Sequence, residues 1–184
     1  MDQGKFKNLL QTHKDAVFSY ATYLVRNRQD AEDITQDVFV KLWQNMDKID
    51  KNKTKAWIMR VAHNLCIDQI RRNKSLRTAA SDQGDLAVQV QNPGIHDADP
   101  EGYMEFREMQ KEILEALARL PDKTRCILLM HYFQDLKLDT ISDIMNENIN
   151  TVKVTLHRGR KLLHETLKTR YPDRVGEAQH AYRM

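Results

Sequence analysis

The side chains with the most evident chemistry are crowded near the C-terminal end of the 184-residue chain: Asn150, Thr151, Lys153, Thr155, His157, Arg158, Arg160 and Lys161, with Glu165 as the only acid between them and Tyr171. Ammonium, guanidinium and hydroxyl groups at this density suit hydrogen bonds to phosphates and base edges. Covalent catalysis would require a nucleophile with its base, or a glycine loop that cradles phosphate, and neither GxGxxG nor GxxxxGK[ST] occurs. Cys66 and Cys126 sit in apolar-periodic stretches without CxxC spacing. His63 lies three residues before Cys66, but two ligands are too few for zinc, which takes three or four. The expectation is therefore a binding protein with no catalytic residue, no metal and no cofactor, whose cysteines are small buried hydrophobes.

Such a cluster reads DNA only if a rigid element presents it. Leu138, Ile141, Ile144 and Met145 define one short helix, and Val152, Leu156, Leu162 and Leu163 define the next, with only residues 146–150 between them. So tight a connection needs a left-handed residue at the end of the first helix, which Asn146 can supply, and an N-cap for the second, assigned here to Asn150. The result is a helix-turn-helix, with Thr151, Lys153 and Thr155 placed to meet bases and Arg158, Arg160 and Lys161 to hold phosphate. A merely solvated helix face is the competing reading of any charge run, and the turn chemistry weighs against it.

The rest of the chain also reads as helical. Six Gly and four Pro leave few turns, and 41% hydrophobic with 30% charged residues suits a globular, all-α protein. Periodicity predicts a helix over Phe6–Leu24, an interruption at residues 26–29, and a second helix capped by Asp30 with Ile34, Val38, Leu42 and Met46 on one face. A loop spans Asn45–Thr54, and a third helix follows over Lys55–Asn73. That helix carries Ile58, Val61, Ala62 and Leu65 on one side and Arg60, Asn64, Asp68 and Arg71 on the other. From 75 to 102 periodicity stops, and five acids stand against the single base Arg77, which predicts a flexible acidic linker. The expected division is 1–74, linker 75–102, 103–170 and a tail 171–184. The N-terminus lacks a signal peptide's apolar core and nothing approaches the roughly 20 apolar residues of a membrane span, so a cytoplasmic protein without membrane insertion is expected. A net charge of +3 is too small to decide the partner by itself.

Three strings resemble the sigma-70 family, specifically its smallest members, the extracytoplasmic-function (ECF) sigma factors. Asp30 to Phe39 with Leu42-Trp43 is similar to the helix that docks on the coiled coil of the RNA polymerase beta-prime subunit. Lys55 to Arg72 is similar to the helix for the minus-ten promoter element. Leu120 to Leu162 is similar to the C-terminal module, where Thr151-Val152-Lys153 and Leu156-His157-Arg158 stand in the family's TVK and LHRAR strings.

The resemblance implies a promoter-specificity subunit with region 2-like and region 4-like modules. It assigns Asp33, Gln36, Asp37 and Phe39 to core polymerase. Lys55, Arg60, Asn64, Asp68, Arg71 and Arg72 go to the minus-ten strand, with a pocket for a flipped base in residues 45–54. Asn150, Thr151, Lys153, Thr155, His157, Arg158, Arg160 and Lys161 go to the minus-thirty-five duplex. It also implies contact with the polymerase beta flap and an anti-sigma partner. Three departures stand out: Asn146 replaces the usual Gly, Glu147 a usual apolar residue, and Thr155 a common Arg. Trp57 is open to both core packing and base stacking, and the linker to both a plain tether and an acidic occupant of nucleic-acid surface. A stand-alone helix-turn-helix regulator explains the C-terminal pattern equally well, but leaves Asp30–Phe39 and Lys55–Arg72 without a role.

Overall fold

A computed structural model describes residues 2–80 and 112–170; within them every regular element is helical. The first module is α1 (Gln3–Val25), α2 (Arg28–Asn45) and α3 (Thr54–Ala80), with a short 3-10 turn at Lys51–Lys53. The second consists of α4 (helical over 112–118), α5 (Asp122–Leu128) running into a π turn (Leu129–Phe133), α6 (Leu138–Met145) and α7 (Ile149–Arg170).

Chain reversal between α1 and α2 takes only two residues. Arg26 adopts φ 58°, ψ 23°, and its N–H bonds back to the Thr22 carbonyl. Extended Asn27 then caps α2 by accepting from the Asp30 N–H at 3.0 Å. The cap is thus Asn27 and not Asp30, which lies in the first turn, where its charge still suits the helix dipole. α3 runs seven residues past the Asn73 boundary read from the sequence, because no Gly or Pro stops it before Gly84. The expected linker consequently begins as helix; its remainder from 81, the helical pattern at Phe106 and Met109, and the tail from Tyr171 lie outside the described residues.

In the first module Val17, Tyr20, Ala21 and Leu24 of α1, Ile34, Val38 and Leu42 of α2, and Ile58, Met59, Ala62 and Cys66 of α3 are buried together. Trp57 is half-buried against this core, as packing requires. The second module buries Ile127, Leu128, Leu129 and Met130 beneath Ile141, Ile144, Val152 and Leu156. Both thiols are buried and free, matching the hydrophobe reading.

The two modules also touch. α6 packs against α3 as well as α7, the Gln134 amide donates to the Ala16 carbonyl at 3.1 Å, Lys74 pairs with Asp122 at 2.7 Å, and the Tyr23 and Phe133 rings meet edge to face.

Between α6 and α7 the turn is made as its residues demand. Asn146 has φ 51°, ψ 47°, and the Glu147 N–H reaches back to the Ser142 carbonyl at 3.0 Å. Asn146→Gly should leave stability unchanged or slightly raised, while Asn146→Ala should lower it by about 1 kcal/mol, since a Cβ without a short polar side chain is disfavoured in the left-handed region. Urea midpoints decide the matter; an alanine variant as stable as the parent would remove the left-handed cap as a requirement.

Candidate nucleic-acid interface

α7 begins one residue earlier than its cap was expected. Asn148 is the N-cap: its carbonyl accepts the first helical bond from Val152 at 3.0 Å and its Oδ1 accepts from the Asn150 N–H at 2.8 Å. Asn150, expected to be the cap, is instead an exposed residue of the first turn. The buried side of α7 is Val152, Leu156 and Gly159, which lie on α5 and α6. A Cβ at residue 159 would stand 2.5 Å from Thr124 Cγ2 and 3.3 Å from Leu128 Cδ1, so the glycine is what lets α7 lie this close to α5.

With that side fixed, the outward face follows from helical geometry. Asn150, Lys153, His157, Arg158, Arg160 and Lys161 are exposed, whereas Thr151 and Thr155 are half-buried along the flanks. The centre of the face, opposite the buried stripe, is Val154, which is 47% exposed and was not singled out by the sequence reading. The signal was there: Val154 lies four residues after Asn150 and four before Arg158, both on the polar face. Lys161 and Glu165 are 3.9 Å apart in solvent, which leaves the net character of the face basic. Glu147, the departure in the turn, forms an ion pair with Lys123 at 2.5 Å and so ties the turn to α5.

α3 presents Lys55, Arg60, Asn64, Asp68, Arg71 and Arg72 as exposed side chains on a single helix. Arg71 lies 3.7 Å from Asp68, and Arg60 donates from Nη2 to the Asp143 carbonyl of α6 at 3.1 Å, so this arginine bridges the modules in the structure. On α2, Asp33, Gln36 and Asp37 are exposed. Phe39, grouped with them from the sequence, turns inward at 5% exposure, because it falls on the core-facing stripe with Thr35, Val38 and Leu42. Its ring helps to line a groove of about 460 Å³ between α1 and α2, with Phe6, Leu10, Gln36, Val40 and Trp43.

Buried polar groups gather away from these faces. Tyr20 Oη and His63 Nδ1 are 3.0 Å apart, and burial pulls the His63 pKa down to about 4. Burial likewise pushes the Cys126 thiol up to about 12 and Cys66 higher still, far from the thiolate a nucleophile needs. Among the described residues no group of three or more His, Cys, Asp or Glu could hold a metal ion, and no helix is long and apolar enough to cross a membrane.

The described residues thus form a three-helix module with an acidic, amide-bearing surface helix and a helix-turn-helix module with a basic outer face. Residues 9–76 match the family Sigma-70 region 2, and residues 110–163 match Sigma-70, region 4. The chain is 31% identical over 173 residues to the ECF RNA polymerase sigma factor SigW of Bacillus subtilis (strain 168), covering 91% of each chain. It is 30% identical to the RNA polymerase sigma factor SigV of the same organism, covering 82% of this chain and 84% of that one. Among solved structures, the sigma factor RpoE from Bartonella quintana, crystallised in complex with the anti-sigma factor NepR, shares the fold with TM-score 0.71 at 23% identity, over 89% of this chain and 97% of that one. The chain belongs to the sigma-70 family, as an alternative RNA polymerase sigma factor of the ECF type.

Proposed function

We propose that the exposed acidic and amide groups of α2, Asp33, Gln36 and Asp37, dock on the beta-prime coiled coil of core RNA polymerase, with Phe39 supporting that helix from beneath. The outer face of α3 then follows the melted minus-ten strand through Lys55, Arg60, Asn64, Asp68, Arg71 and Arg72, preceded by a base pocket at residues 45–54. Upstream, α7 lies in the major groove of the minus-thirty-five element and the second module meets the beta flap. The observation that carries this reading is the outer face of α7, basic and exposed on a helix seated by an Asn146 turn and an Asn148 cap.

Duplex opening is driven by binding energy to the exposed strand, so the protein acts as a subunit and not as an enzyme. Its place is the cytoplasm, with polymerase and promoter. An anti-sigma partner is supported by the Bartonella relative, which was crystallised with one. The reading as a stand-alone regulator is not favoured, since the likeness extends over both modules.

Two variants separate the assigned surfaces. Lys153→Ala should weaken capture of an upstream duplex by about tenfold or more and leave core polymerase binding intact, while Gln36→Ala should do the reverse. Pull-down on core polymerase and duplex titration, run on both variants, provide the check. Equal losses in both assays would indicate misfolding and defeat the assignment.

A further inference from the structure

Two apolar side chains of α7 are exposed, Val154 and Leu162, the latter against its expectation as a core residue, and Val154 is the one set among the polar groups of the outward face. Val154 lies at its centre, with Asn150 four residues before it, His157 and Arg158 three and four after, and Lys161 seven after. A β-branched residue at an exposed mid-helix position lowers helix propensity relative to alanine and, at 47% exposure, gains little burial in return. About half of its surface stays open to solvent, which leaves the side chain available to whatever α7 meets.

As the upstream anchor, α7 meets the major groove of a duplex. In the major groove the bases present hydrogen-bonding edges and a single apolar group, the C5-methyl of thymine. Lysine, arginine and asparagine can satisfy the edges and phosphates, but they cannot gain from a methyl; a branched aliphatic side chain can. We propose that Val154 is a specificity-determining residue that packs on a thymine methyl in the upstream promoter element, beside the base edge reached by Lys153. This inference rests on the placement of α7 in the duplex.

The test uses the full chain bound to core polymerase and a duplex selected from a pool randomised in the upstream region. Each thymine of the selected duplex is replaced in turn by deoxyuridine, which keeps every hydrogen-bonding group and lacks only the methyl. One replacement should weaken binding by about fourfold, the scale of one buried methyl group. Val154→Ala, an exposed substitution with better helix propensity, should bind the thymine and uracil forms equally, and renewed selection with it should lose the preference at that position only. Lys153→Ala and Arg158→Ala provide the control on the parent reading. If they leave duplex binding unchanged, α7 is not the interface and both readings fall. If they weaken it while no deoxyuridine substitution matters, or while Val154→Ala still discriminates, only the methyl contact falls.

Discussion

Gly159→Ala is expected to destabilise the second module by up to about 2 kcal/mol, although alanine is the better helix former. The added methyl would lie 2.5 Å from Thr124 Cγ2, closer than carbon atoms approach, and 3.3 Å from Leu128 Cδ1. Thr124 is buried and its methyl is attached directly to Cβ, so either that side chain takes its other helical rotamer or α7 and α5 move apart. Overpacking of this kind costs about 1–3 kcal/mol, and the propensity gain of about 1 kcal/mol offsets only part of it. Thr124→Ser removes the obstructing carbon and should restore most of the loss when combined with Gly159→Ala. Denaturant midpoints for the two single variants and the double variant check this; strict additivity would show that the two residues do not meet.

The second large effect is a loss of stability in mild acid. His63 is 7% exposed and burial holds its pKa at about 4, whereas the unfolded chain titrates this group near the ordinary 6.5. Between those values the unfolded state carries the extra proton, so stability falls as pH falls, by up to about 1.4 kcal/mol per pH unit and about 3 kcal/mol in all. Above pH 6.5 both states are neutral at this site and the contribution is complete. His13, lowered by burial and by the charge of Lys55, adds to the same trend, so the measurement is a comparison with His63→Gln. That variant should flatten the decline between pH 6.5 and 4. Asp122 acts elsewhere: burial raises its carboxyl, but the hydrogen bond from Lys74 and the charge of Arg125 outweigh this and hold it below its ordinary value. Its contribution is therefore lost only in stronger acid. Identical acid slopes for parent and variant would clear His63 of any role.

The turn between α6 and α7 was largely legible because its residues act locally. Asn146 tolerates the left-handed region by its own side chain, and no distant contact is needed to see it. The cap was misplaced by two residues because Asn148 and Asn150 are chemically equivalent, and only the backbone path decides which oxygen faces an N–H. The same ambiguity moved the cap of α2 from Asp30 to Asn27. Tertiary effects were invisible to periodicity. Phe39 reads as one more residue of an exposed acidic string until the packing of α2 turns it inward, and Arg60 reads as a free cation until α6 supplies a carbonyl. The π turn at Leu129–Phe133, closed by the Gln134 N–H on the Leu129 carbonyl at 3.1 Å, has no distinct sequence pattern. Val154 has no signature in the charge pattern, because its significance lies in where packing of Val152 and Leu156 turns it.

The burial of both cysteines has a practical corollary. Cys66 belongs to α3 in one module and Cys126 to α5 in the other, and each is shielded from solvent with its thiol held protonated. Neither can react with an alkylating reagent until its surroundings open, so the labelling rate at each sulfur is the product of an opening equilibrium and an ordinary thiol rate. The two sulfurs interact with each other and with Tyr20 across the seam between the modules, so the chain carries a built-in clock for the parting of that seam.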